Sequence, residues 1–146
     1  MTTSSEQLSH YFRNQPLFRG VYCQDQLVGK DPTGCYIVNL QPSTDGDGTH
    51  WCALALPPVV DVPCWIDPYG IDAPPAVVKF MRKAKNGAKA QYSKCMYQEL
   101  QSENCGRFCA RFIDELFKYH SLQKMDKGLS EKPSGRNEKK VGAIKL

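Results

Sequence analysis

A cysteine at position 105 has the neighbours that a nucleophilic thiol needs. The stretch 98–109 reads QELQSENCGRFC, and Cys105 follows its polar part and begins an amphipathic segment that extends to about residue 120. With Asn104 as the N-cap candidate, the thiol lies at a helix N-terminus, where the macrodipole and unpaired backbone N–H groups favour thiolate over thiol. Gly106 leaves the backbone beside the sulfur open to a substrate carbonyl. Because most intracellular cysteines are small core residues, the assignment depends on partners elsewhere in the chain.

An imidazole and a carboxylate are expected to meet at one margin of a sheet. His50 begins the apolar run HWCALAL, and a second apolar run, residues 59–66, ends at Asp67 before Pro68, which cannot donate to a strand ladder. If the two runs are antiparallel neighbours, the start of the first lies beside the end of the second. Asp67 would then hold His50 in one tautomer and leave its other ring nitrogen to accept a proton from a thiol. Taken singly, each residue has an ordinary alternative, a satisfied polar group at a strand end and a turn former before proline.

These residues need a sheet and a core helix to hold them in place. Strand predictions rest on short apolar, aromatic or β-branched runs, and they fall at residues 17–22 (a strand or a turn), 35–40, 50–56, 59–66 and 92–97. Helix predictions rest on capping residues or prolines and on helical periodicity, and they fall at residues 4–12, from 74 to about 87 and from 105 to about 120. The turn-rich loop 41–49 leads to His50. The expected fold is α+β, a central mixed or antiparallel sheet packed by helices, with Cys105 at the N-terminus of a core helix and Cys109 inside the core.

Length and composition exclude several classes of protein. At 146 residues the chain has the size of one domain that buries a core without disulfide staples. Seven cysteines is an odd number without framework spacing, which favours a reducing compartment in which Cys23, Cys35, Cys52, Cys64 and Cys95 are reduced thiols. The first residues lack the basic and apolar regions of a signal peptide, and no apolar run is long enough to span a membrane. We therefore expect a protein that is neither secreted nor bound to a membrane.

Positive charge is concentrated in two parts of the chain. Residues 122–146 carry 7 basic and 3 acidic side chains, whereas residues 1–121 carry 12 of each. Because the last stretch is also poor in apolar residues and lacks periodicity, we expect a single domain over residues 1–121 and a flexible basic tail over residues 122–146. A second group of cations is a candidate nucleic-acid-binding patch, or simply a solvated surface, and consists of Lys79, Arg82, Lys83, Lys85, Lys89 and Lys94.

Together these residues resemble a known group, the adenovirus-type cysteine endopeptidases or adenains, which share a clan with the ubiquitin-like-protein proteases. The chain order His, acid, Cys carries much of the resemblance, since papain-like enzymes place the cysteine first. The motifs span roughly residues 17 to 120 and are His50-Trp51, Asp67-Pro68-Tyr69-Gly70, Gln98 with Ser102, and Cys105-Gly106 with Phe108-Cys109. The resemblance implies an origin in a DNA virus or a virus-derived element.

The resemblance implies a role for each site residue. Cys105 would be the nucleophile, His50 the general base and then the general acid, and Asp67 the residue that orients His50. Gln98 would donate its side-chain amide to an oxyanion hole together with the backbone N–H of Cys105, and Gln101 is a competing candidate for this role.

The resemblance also implies a substrate. Trp51 would flank the imidazole and help to enclose a narrow groove, although core packing explains it equally well. Such a groove admits small residues, so the implied activity is viral maturation, the cleavage of capsid and core precursor proteins at small, glycine-containing sites through a thioester acyl-enzyme. The implied location is the virion and the infected host cell, and we expect a monomer. The sequence requires no cofactor and no metal. Enzymes of the family use DNA and a small peptide as activators, and whether either activates this protein stays open. No cysteine here matches the position through which the peptide is tethered in the family.

Three other functions compete with this interpretation. A deconjugating protease of ubiquitin-like proteins would share the active site and differ in its substrate. A zinc-binding module would use cysteines and His50 as ligands, but the sequence has no CxxC pair. A nucleic-acid-binding protein would act through the basic segments and carry only a vestigial triad.

Overall fold

Five strands form one mixed sheet in the computed structural model, which describes residues 3–41, 50–125 and 128–146. In sheet order the strands are β1 (Phe18–Cys23), β2 (Cys35–Asn39), β3 (Trp51–Ala55), β4 (Cys64–Ile66) and β5 (Gln91–Tyr92). β3 is antiparallel to both of its neighbours, whereas the outer pairs, β1 with β2 and β4 with β5, are parallel. The predicted α+β fold with a central mixed sheet is therefore confirmed. The predicted loop 41–49 lies, from residue 42 onward, outside the described residues.

Helices cover the sheet and begin where the local sequence favours them. Their bounds are α1 (Ser5–Tyr11), α2 (Pro75–Arg82), α3 (Cys105–Tyr119), α4 (Leu122–Met125) and α5 (Gly135–Gly142). α1 begins with a capping box in which Ser4 and Gln7 exchange side-chain and backbone hydrogen bonds. α2 begins at prolines, whose missing N–H costs a first turn nothing. None of the helices in the described part of the chain is long and apolar enough to cross a membrane.

The central strand β3 is buried on both faces, as its apolar sequence predicts. Its side chains alternate, so Trp51, Ala53 and Ala55 belong to the core that contains the apolar stripe of α3. Cys52 and Leu54 belong to a second core on the other face, formed with α2. The sheet therefore holds α3 firmly against the strand that follows His50.

Two predicted strands are shorter than their apolar runs. The run 59–66 forms a ladder only over Cys64–Ile66, although Val59 and Val60 are buried in the core. The run 92–97 leaves the ladder after β5, because the backbone N–H groups of Tyr97 and Gln98 donate to Pro68 O at 2.8 and 3.1 Å. These two hydrogen bonds hold the chain around Gln98 against the turn that follows Asp67.

The C-terminal segment differs from the expected flexible tail. Met125, Leu129 and Val141 are buried in the same core as α3, and Asn137 of α5 is fully buried. Met125 and Val141 lie on the short helices α4 and α5, and Leu129 lies on the segment between them. Whether residues 1–121 form a protease domain by themselves stays a prediction.

Replacing Val141 with alanine should lower the free energy of unfolding by about 1–3 kcal/mol, because the substitution leaves a cavity in the core that α5 shares with α3. Urea unfolding followed by circular dichroism measures the change. Lys139→Ala, at an exposed position of the same helix, is the control and should stay within about 0.5 kcal/mol of the wild type. Equal stability of Val141→Ala and the wild type would show that α5 does not support the core.

Candidate active site

His50 and Asp67 meet at the margin of the sheet. The antiparallel pairing of Ala53 with Ile66 places the residue before β3 beside the residue after β4. His50 Nε2 lies 2.8 Å from Asp67 Oδ1, and the Asp67 side chain is fully buried while that of His50 is 18% exposed. The predicted contact between these two residues is confirmed. Because Asp67 engages Nε2, Nδ1 is the ring nitrogen left for a thiol.

Tyr69 packs against the imidazole of His50 and helps to fix its orientation. Its ring stacks on that of His50 with centroids 4.9 Å apart and an angle of 15° between the ring planes. Its backbone N–H donates to Asp67 Oδ1 at 2.7 Å, so the carboxylate oxygen that holds His50 is itself oriented by the turn that follows it. In the sequence, Tyr69 is named only as part of the motif Asp67-Pro68-Tyr69-Gly70, which does not predict the stacking.

Cys105 is the first residue of α3, and its side chain is a hydrogen-bond partner of His50. Burial alone lowers the pKa of His50, but the hydrogen bonds to Asp67 and Cys105 and the charges of both outweigh it and raise the pKa to about 9. The imidazolium is therefore favoured at neutral pH. The imidazolium thus lies beside the Cys105 sulfur at the N-terminus of α3, the positive end of the helix.

The remaining cysteines lie in different environments. None of the seven, all within the described residues, forms a disulfide bond. Burial raises the pKa of Cys35, Cys52 and Cys109 well above 9, which keeps these thiols neutral. Cys109 lies in the core, as predicted. Cys23 and Cys95 are only half-buried and are the competing thiols for a reagent.

Gln98 is buried, whereas Gln101 is exposed. The Gln98 side-chain amide donates one N–H to Ser102 O at 2.9 Å, so its second N–H remains for another acceptor. Gln98 lies on the segment 98–104 that leads into Cys105, and its backbone N–H is bound to Pro68 O. Burial and the bond to Ser102 O distinguish Gln98 from the exposed Gln101, and the part of Gln98 in an oxyanion hole stays a prediction.

One expectation about the start of α3 is confirmed and one is wrong. Asn104 is the N-cap residue, as predicted, although its side chain makes no capping bond and donates instead to Glu138 Oε1 at 2.9 Å. The Cα of Gly106 is not open to a substrate, because a Cβ there would lie 2.7 Å from Thr3 Cβ. The N-terminal segment covers this position and requires the glycine.

Trp51 packs against the same N-terminal segment. Its indole Nε1 donates to Thr3 O at 3.1 Å, and the side chain is almost fully buried. Thr3 therefore lies against two residues, Trp51, which follows His50, and Gly106, which follows Cys105. A role of Trp51 in a substrate groove stays a prediction.

The one group in the described residues that could hold a metal ion is His50, Cys52 and Asp67, whose ligand atoms lie within 4.8 Å of one another. Metal ligation requires a neutral imidazole and a thiolate. Here the pKa of His50 is raised to about 9, and burial followed by the charge of Asp67 raises that of Cys52 well above 9. A metal ion at this group would therefore have to displace protons from His50 and Cys52. Strand alternation could have revealed Cys52, which lies two residues after His50.

The candidate nucleic-acid-binding cations are all exposed, and they lie on and after α2. α2 packs through Val77, Phe80 and Met81 on the sheet face opposite α3. Lys94 is paired with Asp72. Nucleic-acid binding by Lys79, Arg82, Lys83, Lys85, Lys89 and Lys94 stays a prediction.

The fold has a counterpart among solved structures. The crystal structure of the selenomethionine form of the ASFV pS273R protease is similar with a TM-score of 0.51 at 13% sequence identity, over 77% of this chain. The chain spans 44% of the length of that protease. The sequence matches no protein-family model and no curated protein. At this identity the likeness shows a shared fold.

Replacing Asp67 with asparagine should lower the pKa of His50 from about 9 toward the ordinary 6.5, because an amide cannot supply the negative charge that stabilises the imidazolium. NMR titration of the imidazole carbons measures the change. The raised pKa in the folded state means that the pair contributes stability in full below about pH 6.5 and loses it as the pH rises through about 9.

Unfolding experiments across this range provide the second readout. The stability difference between the wild type and Asp67→Asn should be largest at the acid end and should shrink above about pH 9. A pKa of His50 that is the same in both proteins would contradict the assigned contact.

Proposed function

We propose that this protein is a cysteine endopeptidase. The observation that carries the proposal is the arrangement of His50, whose Nε2 is held by Asp67 at 2.8 Å while its ring also hydrogen-bonds the side chain of Cys105. A buried carboxylate, an imidazole and a thiol at a helix N-terminus are the three parts that thiol-dependent acyl transfer needs. The fold shared with a protease supports the same conclusion.

Each residue has a defined part in the reaction. The Cys105 thiol gives its proton to His50, and the sulfur attacks the carbonyl carbon of the scissile bond. The oxyanion that forms is stabilised by the backbone N–H of Cys105 and by the second N–H of the Gln98 amide. His50 then returns the proton to the amine leaving group. Water, deprotonated by His50, hydrolyses the thioester and regenerates the thiol.

The substrates that we propose are viral capsid and core precursor proteins, cut at small, glycine-containing sites. Support comes from the resemblance of the motifs around His50, Asp67, Gln98 and Cys105 to adenovirus-type endopeptidases, and from the fold shared with the ASFV pS273R protease. On the same resemblance we propose the virion and the infected cell as its location. Uncleaved capsid precursors and ubiquitin-like adducts, compared as substrates, distinguish maturation from deconjugation.

Alkylation should select Cys105 among the seven thiols near neutral pH, because it is the thiol bonded to the raised-pKa imidazole of His50. Limiting iodoacetamide followed by peptide mass mapping measures the order of reaction. The half-buried Cys23 and Cys95 are the internal references. Faster labelling of either of them would count against Cys105 as the nucleophile.

Replacing Gln98 with alanine should lower kcat on a fluorogenic glycine-containing peptide on the order of a hundredfold, because one oxyanion donor is lost. Gln101→Ala, an exposed glutamine on the same loop, is the matched control and should keep the wild-type rate. Cys105→Ala should abolish cleavage. Full activity of Cys105→Ala would refute the proposed function, and equal loss in the two glutamine variants would refute the role of Gln98.

A further inference from the structure

Glu138 of α5 binds the loop that precedes the candidate nucleophile. Its Oε2 accepts the backbone N–H of Glu99 at 3.0 Å. Its Oε1 accepts the Asn104 side-chain amide at 2.9 Å and also the hydroxyl of Ser102. One carboxylate therefore holds three points of the segment 98–104, one just after Gln98 and one just before Cys105.

Asn137, the neighbour of Glu138, anchors α5 to the residue that precedes Gln98. It is fully buried, and its Nδ2 donates to Tyr97 O at 3.3 Å and to Ser130 O at 2.8 Å. Its Oδ1 accepts the backbone N–H of Ser130 at 2.8 Å. A satisfied buried amide fixes the start of a helix strongly, because breaking its bonds leaves polar groups unpaired. The position of Glu138 over the loop is thus set by the fold of the C-terminal segment.

The opposite side of the loop is held by the turn that carries the catalytic acid. Tyr69 Oη donates to Leu100 O at 3.3 Å, and Pro68 O accepts the backbone N–H of Gln98 at 3.1 Å. The loop has no ladder or helix of its own between β5 and α3. Leu100 is 80% exposed, so apolar burial does not fix the tip of the loop. Its conformation depends on polar contacts from these two sides.

The bonds from Glu138 are of the stronger kind. A carboxylate that accepts from a backbone N–H, a hydroxyl and an amide forms charge-assisted hydrogen bonds, which are roughly twice as strong as neutral ones. The same contacts orient the Asn104 side chain, which makes no capping bond to α3 and donates its amide to Glu138. Ser102 O, which orients the Gln98 amide, belongs to the residue whose hydroxyl binds Glu138.

We propose that Glu138, placed by Asn137, is a positioning residue for the peptidase reaction. By fixing Ser102, it sets the direction of the Gln98 amide, and by fixing Asn104 it sets the backbone that enters Cys105. The C-terminal helix α5 thus stabilises the active-site loop 98–104. This inference rests on the proposed function.

Glu138→Ala should lower kcat on a fluorogenic peptide that ends in Gly-Gly-aminomethylcoumarin by roughly tenfold to a hundredfold, because a misplacement of about 1 Å costs rates of that size. KM should change by less than about threefold, since the effect acts on the transition state. Glu131→Ala removes the same charge from an exposed position of the same segment and should keep the wild-type kcat. A wild-type kcat for Glu138→Ala would overturn the inference.

Two further variants separate positioning from general destabilisation. Val141→Ala destabilises α5 without touching the loop, so its kcat at a temperature where it is folded should equal that of the wild type. In a double-mutant cycle, Glu138→Ala should reduce kcat by less than about threefold when Gln98 is already alanine, because Glu138 acts largely through Gln98. Fully additive losses would overturn the route through Gln98, and an equal loss in Val141→Ala would show mere destabilisation.

Hydrogen exchange tests the contact without any assay of activity. The backbone amide of Glu99 should exchange faster in Glu138→Ala than in the wild type or in Glu131→Ala. Unchanged exchange would overturn the positioning contact itself. An inactive wild-type protein would refute the proposed function and the catalytic role together, whereas an active wild type matched by Glu138→Ala would refute the role of Glu138 alone.

Discussion

The antiparallel pairing of β3 with β4 is the constraint on which the candidate site depends. It brings the residue before one strand beside the residue after the other, and the 2.8 Å contact of His50 with Asp67 results from that register. Because side chains alternate along a strand, a shift of β3 by one residue against β4 would exchange the side chains that face α3 with those that face α2. Burial of β3 on both faces thus fixes its register, and with it the position of the His50 imidazole beside Asp67.

Four separate segments meet around this contact. The sheet margin supplies His50 and Asp67, the turn after Asp67 supplies Tyr69, α3 supplies Cys105, and the loop before it supplies Gln98. Specific hydrogen bonds connect these segments, whereas the large apolar stripe of α3 fixes only the position of the helix as a whole. Hydrogen bonds to Pro68 O, Leu100 O and Glu138 fix the conformation of the loop 98–104, which core packing alone does not determine.

The sequence predicts the parts of the site that follow from local rules. Strand periodicity and the proline after Asp67 place His50 beside Asp67, and helical periodicity places Cys105 at a helix start. Contacts between distant residues leave no such signal. Glu138 is 34 to 39 residues from its loop partners, and Thr3 is 48 residues from Trp51. The C-terminal segment looks flexible in composition because its buried residues are few, and the ladder of β5 ends early because Pro68 O captures two N–H groups.

Direct capture of the acyl-enzyme tests the account most sharply. The protein would be mixed with a glycine-containing peptide ester, quenched in acid within milliseconds to seconds, and examined by intact mass and peptide mapping. We expect one acyl group on Cys105, released by hydroxylamine as a thioester is, and no such adduct in Cys105→Ala. Turnover of the ester with the acyl group on another residue, or with no covalent adduct at any time, would contradict the assignment of Cys105, His50 and Asp67 as a peptidase site.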